Sequence, residues 1–328
     1  MKKVQFTATG GPEVLELVDV DTPEPGSGEV LVEVAAAGLN FIDTYHRSGL
    51  YPLPLPSGLG LEGAGTITAM GEGVADFAVG DQVAWTGALG SYAEQQVHSV
   101  DSLVPVPAAV SLDVAAAVML QGLTAQYLVD DTWPLESGQR CLIHAGAGGV
   151  GLLMIQMAKA RGAEVFTTVG SPSKAELAAA AGADHVIEYT QVDFGDAIEE
   201  IAGPRPLDVV YDGVGAQTFD RGLALLRRRG LMATFGNASG PVEPVSPLAL
   251  SSNGSIFLTR PTLFDYISTP DELRAKAASL FAMIGDSGET GGAGLDVRIS
   301  ERLALAEASQ AHQMLEGRST TGKVLLIP

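Results

Sequence analysis

At 328 residues the chain exceeds one typical domain, and a hydrophobic content of 46% is enough for two packed cores. Asp and Glu total 39 against 19 Lys and Arg, so the net charge of -20 disfavours nucleic acid and acidic membrane surfaces as partners. The amino terminus MKKVQFTATG lacks the apolar region of a secretory signal, and no stretch of the sequence is long and apolar enough to span a membrane. The single cysteine, Cys141, allows no disulfide framework. These features predict a cytoplasmic location.

The first third of the sequence has the pattern of short β-strands. Apolar and polar residues alternate, as in Glu29 to Val34 and Gly65 to Met70, and Gly and Pro interrupt the pattern up to about Pro107. The run SLDVAAAVMLQGLTAQYLV then predicts a helix that Ser111 can cap. We therefore expect a β-rich, barrel-like domain over residues 1–122.

Strands and helices alternate in the middle of the chain. The predicted strands are RCLIHAG, AEVFTTVG, HVIEY, LDVVYDGV and LMATFG, and the predicted helices are GVGLLMIQMAKA, SKAELAAAA and a helix ending in LLRRR before Gly230. Arg227 to Arg229 are expected to close that last helix, because positive charge is favourable at the carbonyl end of a helix. Apolar strands separated by helices are typical of a parallel sheet covered on both faces, so residues 123–260 predict a doubly wound α/β domain.

The last part of the chain, residues 261–328, predicts a helix from Pro270 to Ile284, a glycine-rich loop from Gly285 to Gly294 and a closing strand, KVLLIP. We expect this segment to return to the first domain. The first domain would then be built from both ends of the sequence.

The sharpest motif is HAGAGGVG, His144 to Gly151, which follows a predicted strand and opens a predicted helix. It contains G-x-G-x-x-G at Gly146, Gly148 and Gly151, with Gly149 and Val150 between them. Glycines allow this turn and let backbone N–H groups approach a pyrophosphate at the helix N-terminus. The order strand, turn, helix and second strand predicts a dinucleotide site.

The end of the second strand indicates which dinucleotide is bound. NAD-preferring sites usually place Asp or Glu there to accept the ribose hydroxyl. This chain has Gly170, Ser171 and Lys174 in that turn and no carboxylate from Val169 to Lys174. The lysine and the hydroxyl groups could bind a 2′-phosphate, so the predicted cofactor is NADPH.

The motifs resemble those of the zeta-crystallin and quinone oxidoreductase family. GQRCLIHAGAGGVGLLMIQMAK fits the family signature through Gln139, Leu142, Gln156 and Lys159, and NFIDTYHRSGLYP, YDGVG, RRRGLMATFGNASG, LTRP and EGRSTTGKVLLIP are similar to the bacterial members. The resemblance covers essentially the whole chain. It implies a GroES-like catalytic domain, a Rossmann domain, a homodimer, and NADPH-dependent reduction of a quinone or another electron-poor conjugated carbonyl compound.

The resemblance also implies that no zinc ion takes part. Zinc-dependent relatives carry a Cys ligand where this chain has Asn40, and a His in a G-H-E motif where it has Leu61. The five histidines show no ligand spacing, and one cysteine cannot build a Cys-rich tetrahedral site. Without a Lewis acid to polarise a simple alcohol or ketone, alcohol oxidation is disfavoured.

Four candidate catalytic residues lie in one loop that, by resemblance, lines the substrate site. Asn40 is expected to orient the substrate or the cofactor amide. Asp43 could act there or serve as a structural hydrogen-bond acceptor. Tyr51, which aligns with the catalytic tyrosine of enoyl thioester reductases, could donate a proton, and both Tyr45 and Tyr51 could instead be packing residues.

Further cofactor contacts are implied by the resemblance alone. Thr124 would lie on the nicotinamide side and Tyr189 near the adenosine phosphate. The remaining candidates are a loop beneath the pyrophosphate and two arginines suited to phosphate, namely Phe235, Gly236, Asn237, Arg260 and Arg318.

Two other functions fit the same residues. An enoyl or 2-alkenal reductase would use the same cofactor and would protonate the α-carbon after hydride attack. A non-catalytic NADPH-binding protein, as some lens crystallins of this family illustrate, would bind the cofactor without turnover.

Overall fold

The computed structural model describes residues 1–285 and 294–328, so most of the predicted glycine-rich loop lies outside the described residues. These residues form two units: Met1–Leu123 together with Tyr266–Pro328, and Thr124–Asp265. The strands are β1 (Lys2–Phe6), β2 (Glu16–Asp19), β3 (Glu29–Gly38), β4 (Ser57–Gly58), β5 (Glu62–Met70), β6 (Gln82–Thr86), β7 (Gln95–Ser99), β8 (Leu103–Pro105), β9 (Arg140–Ile143), β10 (Glu164–Val169), β11 (His185–Glu188), β12 (Leu207–Asp212), β13 (Leu226–Thr234), β14 (Phe257–Thr259), β15 (Ile299–Ala304) and β16 (Lys323–Ile327). The α-helices are α1 (Phe41–Ser48), α2 (Leu112–Val118), α3 (Gln121–Tyr127), α4 (Gly149–Ala160), α5 (Pro172–Ala180), α6 (Phe194–Ala202), α7 (Phe219–Leu225), α8 (Pro247–Ser252), α9 (Pro270–Gly285) and α10 (Ala308–Glu316).

The main sheet of the first unit is built around the long strand β3. The strand order is β15-β16-β3-β5-β6-β8, and β7 also pairs with β3. Side chains that alternate along β3, Val30, Val32 and Val34, are buried in a core that includes Trp85 and Leu326. A second, three-stranded sheet has the order β2-β1-β4. The unit is therefore β-rich, as predicted.

Three strand ends meet at one corner of the first unit. β3 ends at Gly38, β5 begins at Glu62, and β16 begins at Lys323. The antiparallel pairings of Gly38 with Leu325 and of Ala37 with Gly63 bring these ends together. Consequently residues 40, 62 and 323, which are distant in sequence, become neighbours.

The second unit is a six-stranded sheet in the order β11-β10-β9-β12-β13-β14, and every pairing in it is parallel. The strand order reverses between β9 and β12, and in such sheets the crevice at the carboxyl ends of the strands is the place where ligands bind. Its core includes Leu142, Phe166 and Val210. The predicted doubly wound α/β fold is confirmed.

The predicted long helix after Ser111 is interrupted. α2 ends at Val118, α3 begins at Gln121, and a π-helical segment continues over Leu128–Thr132. At the break the backbone N–H of Leu120 donates to Glu62 Oε2 at 2.6 Å, which removes a donor that a continuous helix would use. Across the described residues no single helix has the length and apolar composition of a membrane span, and only this bent pair meets that test jointly.

The prediction that Arg227 to Arg229 end a helix is wrong. α7 ends at Leu225, and the three arginines lie in β13. Strand pairing decides this: Leu226 is in register with Leu207, and Arg227 Nε donates to Asp208 Oδ1 on the neighbouring strand at 2.5 Å. These contacts across the sheet outweigh the local preference of positive charge for a helix end.

Candidate active site

The predicted dinucleotide loop joins β9 to α4. Gly148 is the N-cap of α4, and no side chain caps it. A Cβ at position 146 would overlap Thr167 on β10, so the loop needs glycine there to lie against the sheet. Gly149, Val150 and Gly151 form the first turn of α4, where backbone N–H groups have no acceptor within the helix. The loop therefore ends in main-chain donors of the kind that bind anions at helix N-termini.

The turn after β10 lies beside that loop. A Cβ at position 170 would be 2.7 Å from the Tyr189 hydroxyl, so the Tyr189 side chain packs closely against Gly170 in this turn. Ser171 is the N-cap of α5, and its Oγ is 3.2 Å from Ser173 Oγ. Lys174 is in the first turn of α5 and is half-buried. The turn thus offers hydroxyl groups and an ammonium group without a carboxylate.

Two further loops meet at the same edge of the sheet. Asp212, at the end of β12, accepts hydrogen bonds from the backbone N–H of Val214 at 2.7 Å and from Thr218 Oγ1. These bonds fix the turn after β12. The segment after β13 is held beside this turn, because the Phe235 N–H donates to Asp212 O at 2.8 Å. Gly236 and Asn237 continue this segment. Since these strands are parallel, the loops after β9, β10, β12 and β13 share the edge where α/β sheets bind ligands.

The two candidate arginines lie in different units. Arg260 follows β14 and its Nη1 donates to Thr234 O at 2.9 Å, which places it beside the segment after β13. Arg318 lies in the first unit, between α10 and β16, with a φ of 55°. Thr124 is buried on α3. The predicted cofactor contacts of Thr124 and Arg318 stay predictions.

A buried polar cluster occupies the corner of the first unit where the three strand ends meet. It consists of Asn40, Asp43, Glu62, Tyr92 and Lys323, each at most 3% exposed; we call it the Asn40 cluster. Asn40 is the N-cap of α1, and Asp43 in the first turn accepts a hydrogen bond from the Asn40 backbone N–H, as the third helical residue does in a capping box. The cap fixes the start of α1 on the cluster.

The Asn40 amide has its hydrogen-bonding groups filled by the protein. Its Oδ1 accepts from Lys323 Nζ at 3.0 Å and from Gln121 Nε2 at 3.1 Å. Its Nδ2 donates to Glu62 Oε1 at 2.6 Å and to Gly38 O at 3.3 Å. Lys323 Nζ also donates to Glu62 Oε1 as a buried ion pair. Asn40 therefore serves first to link Glu62, Gln121 and Lys323 by hydrogen bonds.

Asp43 is a structural hydrogen-bond acceptor in this arrangement. Its Oδ2 accepts from the Asn40 N–H and from the Tyr92 hydroxyl, both at 2.8 Å. Its Oδ1 is buried and has no hydrogen-bond partner among the described residues. Burial raises the pKa of Asp43 from its ordinary value to about 7, because desolvation penalises the carboxylate more than its two donors stabilise it.

The two candidate tyrosines contact each other. The rings of Tyr45 and Tyr51 are 5.3 Å apart between centroids and meet edge to face at 69°, and the Tyr51 N–H donates to Tyr45 O. Tyr45 is buried against Phe41, whereas Tyr51 is half-buried. α1 thus brings all four candidate catalytic residues into one region, with Tyr51 the more accessible phenol.

Sequence reasoning missed Lys323, Tyr92 and Gln121. Lys323 does have a sequence signal: a lysine at the start of the apolar strand KVLLIP is unusual, because a buried lysine needs a charged partner. Gln121 and Tyr92 carry no comparable signal. Their contacts depend on residues 81 and 49 positions away.

The residues at this corner do not fit a zinc ion. In the described ranges no group of three or more His, Cys, Asp or Glu side chains is arranged to hold a metal. Of the two carboxylates beside Asn40, Glu62 is already paired with Lys323, and Asp43 accepts hydrogen bonds from Asn40 and Tyr92.

The Lys323–Glu62 pair predicts a large stability difference between two lysine substitutions. Lys323→Met leaves the Glu62 carboxylate buried without its cation, which should lower the free energy of unfolding by about 3–5 kcal/mol in urea titrations. Lys159→Met removes a lysine from the one-third-exposed pair with Asp184 and should cost about 0–1 kcal/mol. Equal losses for the two variants would contradict a special role for the buried pair.

Asp43 predicts how stability depends on pH. The folded state holds its proton more tightly than the unfolded chain, so this contribution is complete below pH 3.8 and is lost as pH rises to about 7. The loss should reach at most about 4 kcal/mol. Asp43→Asn, which keeps one oxygen for the Asn40 and Tyr92 donors and cannot ionise, should abolish it.

The measurement is the difference in unfolding free energy between wild type and Asp43→Asn from pH 4 to pH 8. His98 and His312 have pKa values lowered to about 3 by burial, and their contribution has the opposite sign. Because it is the same in both proteins, it cancels in the difference. A difference that stays constant with pH would show that folding does not raise the pKa of Asp43.

Comparison with known proteins places both units in characterised families. The model described as "Alcohol dehydrogenase GroES-like domain" matches residues 26–129, and the model described as "Zinc-binding dehydrogenase" matches residues 149–282. Both are parts of the medium-chain dehydrogenase/reductase superfamily. The second model's name refers to zinc; at the positions where the resemblance implies zinc ligands, this chain has Asn40 and Leu61.

Relatives similar over the full length include enzymes and a solved structure. The chain is 49% identical over 329 residues to "Quinone oxidoreductase" of Pseudomonas aeruginosa, covering 100% of this chain and 99% of the relative. It is 38% identical to "2-haloacrylate reductase" of Burkholderia sp., covering 97% and 96%. The crystal structure of Escherichia coli quinone oxidoreductase complexed with NADPH superposes with a TM-score of 0.96, at 43% identity, over 100% of both chains. This chain therefore belongs to the quinone oxidoreductase family of the medium-chain dehydrogenase/reductase superfamily.

Proposed function

We propose that this protein reduces quinones with NADPH and without a metal ion. The observation that carries the proposal is the uncapped N-terminus of α4 beside a turn, residues 170–174, that has a lysine and no carboxylate. The family relationship supports it, since the similar Escherichia coli structure is an NADPH complex and the Pseudomonas aeruginosa relative is named a quinone oxidoreductase.

The residues at the edge of the second sheet fit this cofactor. The N–H groups of Gly149, Val150 and Gly151 would hold the pyrophosphate, as helix N-termini hold anions. Ser171 and Lys174 would hold the 2′-phosphate by charge-assisted hydrogen bonds. When bound, NADPH supplies a hydride to the acceptor. Main-chain donors explain how so acidic a protein can bind a polyanionic cofactor.

A quinone is the acceptor that needs least assistance from the protein. Its ring is already electrophilic and its reduced form is a stabilised aromatic oxyanion, so positioning and exclusion of water can supply most of the catalysis. Tyr51, half-buried beside Tyr45, is the proposed donor to that oxyanion. The Asn40 cluster would hold α1, and with it both tyrosines, in place.

A second acceptor class is favoured by one observation. The 2-haloacrylate reductase of Burkholderia sp. is 38% identical to this chain over nearly its whole length. Its name indicates an acrylate acceptor, in which a C=C bond is conjugated to a carboxyl group. Reduction of an activated alkene, such as a 2-alkenal or an enoyl thioester, is therefore the alternative.

One set of assays tests cofactor and acceptor together. Initial rates with NADPH or NADH should be measured against 1,4-benzoquinone, a 2-alkenal and crotonyl-CoA. We expect the highest kcat/KM with NADPH and the quinone. Lys174→Met should raise the NADPH dissociation constant roughly 10-fold or more, because a charge-assisted phosphate contact is lost, and should leave that of NADH unchanged.

Lys159→Met is the matched control, since Lys159 is a half-buried lysine of the same unit that pairs with Asp184. It should leave both dissociation constants unchanged. A higher kcat/KM with crotonyl-CoA than with the quinone would overturn the proposed acceptor. Equal affinities for NADPH and NADH would overturn the proposed cofactor.

We also propose that the protein is a homodimer formed through the edge strand β14. Within the described part of the chain, β14 pairs only with β13, so its other side is open to a further strand. Phe257 on this strand is 57% exposed, and Leu248 on α8 is 77% exposed. An open edge with large apolar side chains suits a second copy related by a two-fold axis.

Phe257→Asp should convert the dimer to a monomer in sedimentation equilibrium, because it places a charge in the proposed apolar contact. Val79→Asp is the control: Val79 is 59% exposed and belongs to the other unit, so the dimer should persist. A monomeric wild type, or a dimer in which Phe257→Asp changes nothing, would refute this interface.

A cytoplasmic location is a further proposal. Its support is compositional: the one cysteine, Cys141, is buried and unpaired, as expected of a protein from a reducing compartment. The proposed cofactor is consistent with the same compartment.

A further inference from the structure

The buried ion pair determines which way the Asn40 amide faces. A lysine ammonium can only donate, and an ionised carboxylate can only accept. Because Lys323 Nζ lies 3.0 Å from one end of the amide and Glu62 Oε1 lies 2.6 Å from the other, the Lys323 end must be Oδ1 and the Glu62 end must be Nδ2. No flipped orientation of Asn40 is compatible with these partners.

The same reasoning extends to Gln121. Asn40 Oδ1 is an acceptor, so the Gln121 group that approaches it at 3.1 Å must be Nε2. The Lys323–Glu62 pair thus fixes the orientation of the Asn40 amide, and the Asn40 amide in turn fixes that of the Gln121 amide. Gln121 is the one member of this chain of contacts that is only half-buried, whereas Asn40 is 3% exposed.

The same carboxylate anchors the backbone directly before Gln121. Glu62 Oε2 accepts from the N–H of Leu120, the residue before it, at the break between α2 and α3. Glu62 therefore holds the main chain directly before Gln121, and it holds the Gln121 side chain indirectly, through Asn40. Among the residues that the structure describes, nothing else bonds to its Oε1 or to its second Nε2 hydrogen.

We propose that Gln121 binds the acceptor, with its second Nε2 hydrogen donated to the carbonyl oxygen of the quinone, and that Asn40 is a positioning residue acting through it. This inference rests on the proposed quinone reduction. It assigns the direct polar contact to the half-exposed Gln121 and not to Asn40, whose amide has no hydrogen-bonding group left for a ligand.

The contact would strengthen as the reaction proceeds. Hydride transfer adds two electrons and one proton to the quinone, which becomes the hydroquinone monoanion while NADPH becomes NADP+. The negative charge develops on the carbonyl oxygen, where a pre-oriented N–H donor is most effective. Gln121 gives up no proton; the second proton of the hydroquinone comes from Tyr51 or water.

The test uses Gln121→Leu and Gln121→Glu, the second of which keeps the size of the side chain and removes its donors. The first readout is the dissociation constant of 1,4-benzoquinone for the complex with NADP+, which cannot transfer hydride. It should rise roughly 10-fold in both variants, and kcat/KM for the quinone should fall roughly 10- to 100-fold. The NADPH dissociation constant should not change.

Gln96→Leu is the matched control, because Gln96 is a half-buried glutamine of the same unit with its own single hydrogen bond, to Leu89 O at 3.1 Å. It should change none of these quantities. Wild-type quinone binding and kcat/KM in the Gln121 variants would overturn the proposal. So would weaker NADPH binding with quinone binding unchanged, since Gln121 would then contact the cofactor.

Failure of the proposed function itself would be visible in the wild type, as absence of quinone turnover with NADPH. Failure of the Gln121 proposal would be visible only in the variants, beside a wild type that does turn over quinone. If Gln121→Leu does not fold, as judged by circular dichroism, Gln121→Glu decides the outcome.

Discussion

The ion pair between Lys323 and Glu62 is the interaction on which the organisation of the first unit depends. It joins the beginnings of β5 and β16, and through Asn40 it also holds the start of α1. Removing two charges from water is costly, so a pair this deeply buried is retained only where further hydrogen bonds complete it. Asn40 and the N–H of Leu120 supply those bonds, so the ion pair and the residues around it form one hydrogen-bonded network.

The second unit solves a different electrostatic problem. A protein with a net charge of -20 repels anions at long range, yet its proposed cofactor is a polyanion. The attraction must be local, and in the proposed binding mode the loop before α4 supplies it with backbone dipoles, which do not depend on the charge of the side chains. A lysine in the turn after β10 adds one full positive charge to a segment, residues 169–174, that contains no Asp or Glu.

Features that depend on neighbours in sequence were predictable. The glycine motif, the alternation of strands and helices, and the carboxylate-free turn ending at Lys174 all depend on short segments, and the sheet order confirms the fold they indicate. Features that depend on distant partners were not. The break before Gln121 is caused by Glu62, and the arginines after Leu225 follow the pairing of β13 with β12, which no local pattern contains.

The close fit of Gly146 against Thr167 limits how cofactor preference can be re-engineered or can drift during evolution. A side chain at that position would collide with Thr167, so the loop before α4 has little freedom to change. Ser171 and Lys174, by contrast, lie at the start of α5, whose side chains are mostly outside the core. In the proposed binding mode, selectivity between phosphorylated and unphosphorylated coenzymes can therefore change there without disturbing the core.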